Sequence, residues 1–107
     1  MDKTLSMLGL ARRAGKLLIG HDAVFDAVKR GRVKLVLLTS DASARHRKEL
    51  ISADYAGALA ALKQSTAQAG ALLGKQSCVF ALEDEDFASA VMKTICEEEI
   101  TVYGSKV

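Results

Sequence analysis

The chain has 107 residues, half of them hydrophobic and 26% charged, with no proline and a formal net charge of +2. That composition suits one folded domain over residues 1–107 with a modest core, and it speaks against an intrinsically disordered chain. No apolar run is long enough to span a bilayer, and Arg12-Arg13 follow the short stretch LSMLGLA rather than precede it, so neither a membrane anchor nor a secretory leader is expected.

Cys78 and Cys96 lack metal or redox spacing and suit a reducing cytoplasm. The charge is unevenly spread. Residues 1–50 carry eleven Lys or Arg against five acids (+6), and residues 51–107 carry four against eight (−4), which together restore +2. A basic first half is a hint of a polyanionic partner.

Glycine supplies the punctuation along the chain. Residues 2–14 place Leu5, Met7, Leu8 and Ala11 near helical spacing, with Gly15 as a C-terminal cap. KLLI (16–19) reads as a short strand or extended link. His21 to Arg30 is a helix whose Val24, Phe25, Ala27 and Val28 face a core; Lys29 and Arg30 suit its negative end, and Gly31 stops it. VKLVLLT (33–39) has the continuous apolar character of a strand buried on both faces. Ser43 is placed to cap a helix over 44–56 that Gly57 ends. ALAAL (58–62) is read as a strand because the alternation of elements requires one, although alanine favours helix. Ser65 and Gln68 form a capping box for a short helix ending at Gly74. SCVFAL (77–82) is another core strand, and the acids of EDED (83–86) suit the positive end of a last helix over 85–98. The tail ITVYGSKV is open between an edge strand and a loose end. The alternation predicts the α/β class: a three-layer α/β/α sandwich around a mixed sheet of about four strands.

Catalytic signatures are missing. LGLARRAGK and GALLGK lack the glycine–lysine–Ser/Thr spacing of a phosphate-binding loop, and no GxGxxG follows a strand. His21 and His46 are too far apart in sequence for a helical metal pair, and no serine sits in a nucleophile elbow. The carboxylates between Asp84 and Glu99 flank helix ends and read as solvated. The expectation is a protein without catalytic activity, cofactor or metal.

The positive signal surrounds Gly20. A helix N-terminus offers unpaired N–H groups to a phosphate or base edge. Arg12, Arg13 and Lys16 precede this one, and Lys29, Arg30, Arg32 and Lys34 follow it. Arg45, Arg47 and Lys48 come after the next strand. Cations around an exposed helix end are what phosphate contacts need.

The order of three segments adds a resemblance. LGLARRAGKLLIG, then AVKRGRVKLVLLTSDAS, then AGALLGK, resembles the bacterial branch of the kink-turn RNA-binding ribosomal protein superfamily, the large-subunit protein seven-a-e group, from about Leu8 to Ala90. The resemblance implies an α/β/α sandwich, no cofactor, no catalysis and binding of RNA; with the composition, it leads to the expectation of a cytoplasmic protein, monomeric when free, that binds structured, ribosomal-type RNA. It implies an approach surface of Gly20, His21, Asp22 and the loop Gly74-Lys75-Gln76. Phosphate contacts would come from Arg12, Arg13, Lys16, Lys29, Arg30, Arg32 and Lys34. The kink-turn readers of the family carry Asn and Glu two and three positions after this glycine and Lys six after it. Here those positions hold Asp22, Ala23 and Asp26. Asparagine donates and accepts, whereas ionised aspartate only accepts. Impaired reading of a standard kink-turn is therefore expected. The other expectation is an adaptor for ribosomal or translation-factor proteins that keeps the fold and has lost RNA affinity.

Overall fold

The computed structural model describes residues 2–103. In chain order the elements are α1 (Lys3–Arg13), β1 (Leu17–Ile19), α2 (His21–Lys29), β2 (Leu35–Leu38), α3 (Arg45–Ser52), β3 (Ala58–Ala61), α4 (Thr66–Leu73), β4 (Val79–Leu82), α5 (Glu85–Met92), a 3-10 turn (Glu97–Glu99) and β5 (Ile100–Val102). Local chemistry explains several of the helix starts. The Asp2 carboxylate accepts from the Leu5 N–H at 3.0 Å, the Asp84 carboxylate from Phe87 at 2.9 Å, and both halves of the Ser65–Gln68 capping box are made.

The sheet runs β1-β4-β2-β3-β5, with β2 and β3 parallel and the other pairs antiparallel. The period-2 alternation of each strand sorts its side chains to two cores. Leu35, Leu37, Ala58, Ala60, Phe80 and Leu82 pack against α1, α4 and α5. Val36, Leu38, Leu59, Val79 and Ala81 pack against α2 and α3. The helices therefore cover both faces of a mixed sheet, as the alternation predicts. Burying side chains such as Phe80, Leu35 and Leu82, all with no exposed surface, contributes about 1.5–3 kcal/mol each.

The largest departures from the sequence reading are in the strand count and in where α3 and α5 end. The sheet has five strands among the described residues, not about four, because Ile100–Val102 pairs with β3 as an edge strand; residues 104–107 of the tail lie outside the described residues. Helix α3 ends at Ser52 rather than near Gly57, since Asp54 turns left-handed at φ 55°. Tyr55 then folds inward and donates its hydroxyl to the Ala58 carbonyl at 2.6 Å. Gly57 is needed beneath that ring, where a Cβ would lie 2.5 Å from the Tyr55 hydroxyl oxygen. Helix α5 stops at Met92, six residues early, where the Thr94 hydroxyl donates back to the Val91 carbonyl at 2.6 Å. A hydroxyl bonded in this way competes with the continuing backbone ladder.

Candidate nucleic-acid interface

Gly20 opens α2 with φ 101° and ψ 154°, a conformation that is essentially reserved for glycine. Its own N–H donates to the Val79 carbonyl at 3.1 Å, and its carbonyl accepts from Val24 at 3.0 Å. No side chain caps this helix. The N–H groups of His21, Asp22 and Ala23 therefore leave the first turn with no intrahelical acceptor, and all three residues are exposed. The helix dipole adds a partial positive charge at the same place.

The neighbours of this helix end follow from strand order. β1 lies beside β4, so Gly20 borders the segment that enters β4. There the Ser77 hydroxyl accepts from the Val79 N–H at 3.2 Å, and the Cys78 carbonyl accepts from Thr39 at 3.0 Å. Further up this loop Gln76 lies over α4. A Cβ on Gly70 would come within 2.7 Å of the Gln76 Cγ and 3.1 Å of its Cα.

Helix α3 brings a second set of groups to His21. The Nε2 of His21 lies 2.7 Å from the Glu49 carboxylate, and its Nδ1 lies 3.3 Å from that of Asp22. Carboxylates only accept, so both ring nitrogens donate only when the imidazole is doubly protonated. The Glu49 hydrogen bond, assisted by Asp22, accordingly raises the His21 pKa, and the same bond to His21 lowers that of Glu49. The His21 ring rests on Phe25, with centroids 4.5 Å apart, and stands 6.1 Å from His46. His46 donates from Nδ1 to the Ser43 carbonyl at 3.2 Å, leaving Nε2 to accept from the Cys78 thiol at 3.5 Å. An open hollow is lined by His21, Arg45, His46 and Glu49, and a groove between α2 and α3 runs on past Lys29 and Lys48. Arg45, His46, Lys48 and Glu49 all come from the run RHRKE, in which the sequence shows cations but not which helix end they face. Among the described residues, no group of three His, Cys, Asp or Glu side chains is placed to hold a metal ion.

Twelve of the thirteen site residues read from the sequence are exposed, and Gly20 is half-buried. They do not form one patch. Gly20, His21 and Asp22 are together at the start of α2, while Lys29, the last residue of α2, lines the α2–α3 groove that begins at His21. Arg30, at the far end of α2, is paired with Asp26 at 3.3 Å. Arg32 and Lys34 enter β2 at the opposite end of the sheet, where the Lys34 N–H donates to the Leu82 carbonyl at 2.8 Å. Leu17 and Leu35 both pair with Leu82, so Lys16 lies at the same end of the sheet as Arg32 and Lys34. Arg12 lies against Gly74, its guanidinium 3.5 Å from where a Cβ would stand, and Arg13 lines a groove between α1 and α4. Lys75 and Gln76 continue from Gly74 toward the Ser77–Cys78 segment beside Gly20.

Two sequence relatives and two solved structures share this frame. The chain is 35% identical over 91 residues to the RNA-binding protein YlxQ of Bacillus subtilis (strain 168), covering 83% of this chain and 91% of that one. It is 29% identical over 95 residues to the like-named protein of Enterococcus faecium, covering 88% and 92%. A solved protein of unknown function from Bacillus halodurans superimposes with a TM-score of 0.74 at 31% identity, over 88% of this chain and 97% of that one. The 15.5kD RNA binding protein of Giardia lamblia gives a TM-score of 0.63 at 13% identity, over 84% and 79%, a likeness of fold alone. The model of the ribosomal protein L7Ae/L30e/S12e/Gadd45 family matches residues 2–91, and the chain belongs to that family.

Proposed function

We propose that this protein is a small, non-enzymatic RNA-binding protein of ribosomal type that contacts structured RNA through the start of α2 and the adjoining loop into β4. The observation that carries this reading is the open N-terminus of α2. A glycine-only backbone conformation and the lack of a capping side chain leave three exposed residues with free N–H groups, the arrangement that suits a phosphate or base edge. Arg45 and Lys48 supply cations beside it, and Lys29 lies about two turns away in the same groove. The YlxQ relatives, named as RNA-binding proteins, favour the same reading.

Reading of a standard kink-turn is impaired in this proposal. Asp22 and Asp26 put carboxylates on the exposed face of α2, and Arg30 is engaged by Asp26. Each lost hydrogen bond to a charged group costs roughly 1.5–3 kcal/mol, so losing two or three weakens affinity by about two to six orders of magnitude. The test is a titration of one kink-turn RNA, at fixed salt, with the natural protein and with the triple variant Asp22→Asn, Ala23→Glu, Asp26→Lys. Weak binding that the variant strengthens supports the proposal; tight binding by the natural protein sinks the impairment. Raising salt from about 50 to about 200 mM should weaken binding to other structured RNA by on the order of tenfold to a thousandfold. Absence of any salt-dependent RNA affinity would favour the adaptor reading.

A further inference from the structure

Four large hydrophobic side chains are conspicuously exposed among the described residues: Leu10 (46%), Ile51 (60%), Leu72 (62%) and Val102 (63%). Two of them, Leu10 and Leu72, line the same groove between α1 and α4, of about 340 Å³, with Leu5, Gly9 and Arg13. Gly9 forms an open part of this groove, since a Cβ there would meet nothing within 4 Å. Apolar surface collected at one place rather than scattered marks an interaction site more often than chance exposure does.

Charge selects the occupant. Helices α1 and α4 carry Lys3, Arg12 and Arg13 and no carboxylate at all. The Asp2 carboxylate that precedes them is already engaged by the Leu5 N–H and the Gln64 amide. The face is therefore leucine bordered by arginine. We propose that it is a docking groove for an acidic amphipathic helix of another protein, whose apolar side chains pack between Leu10 and Leu72 while its carboxylates meet Arg13. Helix-in-groove recognition uses this combination, with anchors spaced one helical turn apart, and arginine pairs with carboxylates in a bidentate fork. A second copy of this chain fits less well, because two-fold pairing sets this face on itself and brings Arg13 against Arg13. RNA fits less well too, because its phosphates gain nothing from the two leucines. The inference stands independently of the RNA reading: α1 and α4 lie on the opposite side of the sheet from α2 and α3, leaving both faces open at once.

The experiment titrates the isotope-labelled full chain with a synthetic helical peptide of about 18 residues, some five turns. The peptide has leucines at i, i+4 and i+7 and glutamates on both flanks; a matched peptide carries lysines instead. The expected result is amide shifts centred on Gly9, Leu10 and Leu72 with the glutamate peptide and none with the lysine peptide. Leu10→Glu and Leu72→Glu should each weaken binding about tenfold by losing apolar burial and adding repulsion. Both side chains are exposed, so the variants should fold, which circular dichroism checks. Equal binding of the two peptides, shifts elsewhere, or indifference to both variants would overturn the proposal. Sedimentation of the protein alone is the second arm: self-association abolished by Leu72→Glu would assign the groove to a second copy and overturn it. Shifts at Gly9 and Leu10 with a structured RNA would assign it to nucleic acid and overturn it equally.

Discussion

Two glycines with equally open surroundings should respond to alanine with opposite sign. A Cβ added at Gly20 or at Gly9 would meet nothing within 4 Å, so neither substitution causes a clash. Backbone conformation alone separates them. Gly20 has φ 101° and ψ 154°, a region that costs a side-chain-bearing residue about 1–3 kcal/mol. The chain cannot relax freely out of it, because the Gly20 N–H is held by Val79 and its carbonyl by Val24. Gly9 lies within α1, where alanine is preferred over glycine by about 0.5–1 kcal/mol. For a domain of this size 1 kcal/mol moves the midpoint of thermal unfolding by roughly 4–8 °C. Gly20→Ala should therefore melt about 4–24 °C below the natural protein, and Gly9→Ala about 2–8 °C above it. Thermal unfolding followed by circular dichroism at one pH and salt reads both. A Gly20→Ala protein as stable as the parent would refute the assigned backbone conformation, and with it the reason for a glycine at the start of α2.

The His21–Glu49 pair predicts a pH dependence. The folded His21 pKa is raised above its ordinary value of 6.5, so its contribution to stability is fully present below that value and is lost as pH rises through the folded pKa. Glu49 is lowered from 4.5, so its contribution is present above 4.5 and is lost as pH falls through the lowered value. Glu49→Gln should thus destabilise most in the window between those limits, and proton NMR should show the His21 midpoint moving down toward 6.5; an unmoved midpoint would mean that the 2.7 Å contact does not govern the ring. Gly70→Ala should cost about 1–3 kcal/mol by overpacking, because its Cβ would press on the Gln76 Cα and Cγ. Amide shifts should follow through Lys75–Cys78, and a neutral melt with an unshifted loop would refute that packing.

Local chemistry carried much of the architecture into the sequence. The unbroken apolar runs LVLL and VFAL read as strands covered on both faces, and both faces are buried. The Ser65–Gln68 box was legible because both partners lie within one turn. Other features depend on distant groups. Thr94 stops α5 through its own hydroxyl, held also by Thr4, 90 residues away, at 2.6 Å. Gly57 looked like a helix cap but serves the Tyr55 ring. The site divided in the same way. Gly20 and His21 were legible because a glycine before an amphipathic run marks a helix start. The dispersal of the cations was not, since strand register is what sets Lys16 and Lys34 at the end of the sheet away from Gly20. Nor could the sequence show that α3 turns Arg45, His46 and Glu49 toward His21.

RNA is proposed to meet this protein at the open start of α2. The direct measurement is an amide-resolved NMR titration of the full chain with a structured RNA at low salt, followed by a return to higher salt. The largest shifts are expected at His21, Asp22 and Ala23, whose N–H groups have no intrahelical acceptor, with smaller ones at Lys75–Cys78 and Arg45 and reversal as salt rises. Saturable binding that leaves His21 to Ala23 unshifted, with its shifts at Lys16, Arg32 and Lys34 across the sheet, would contradict it.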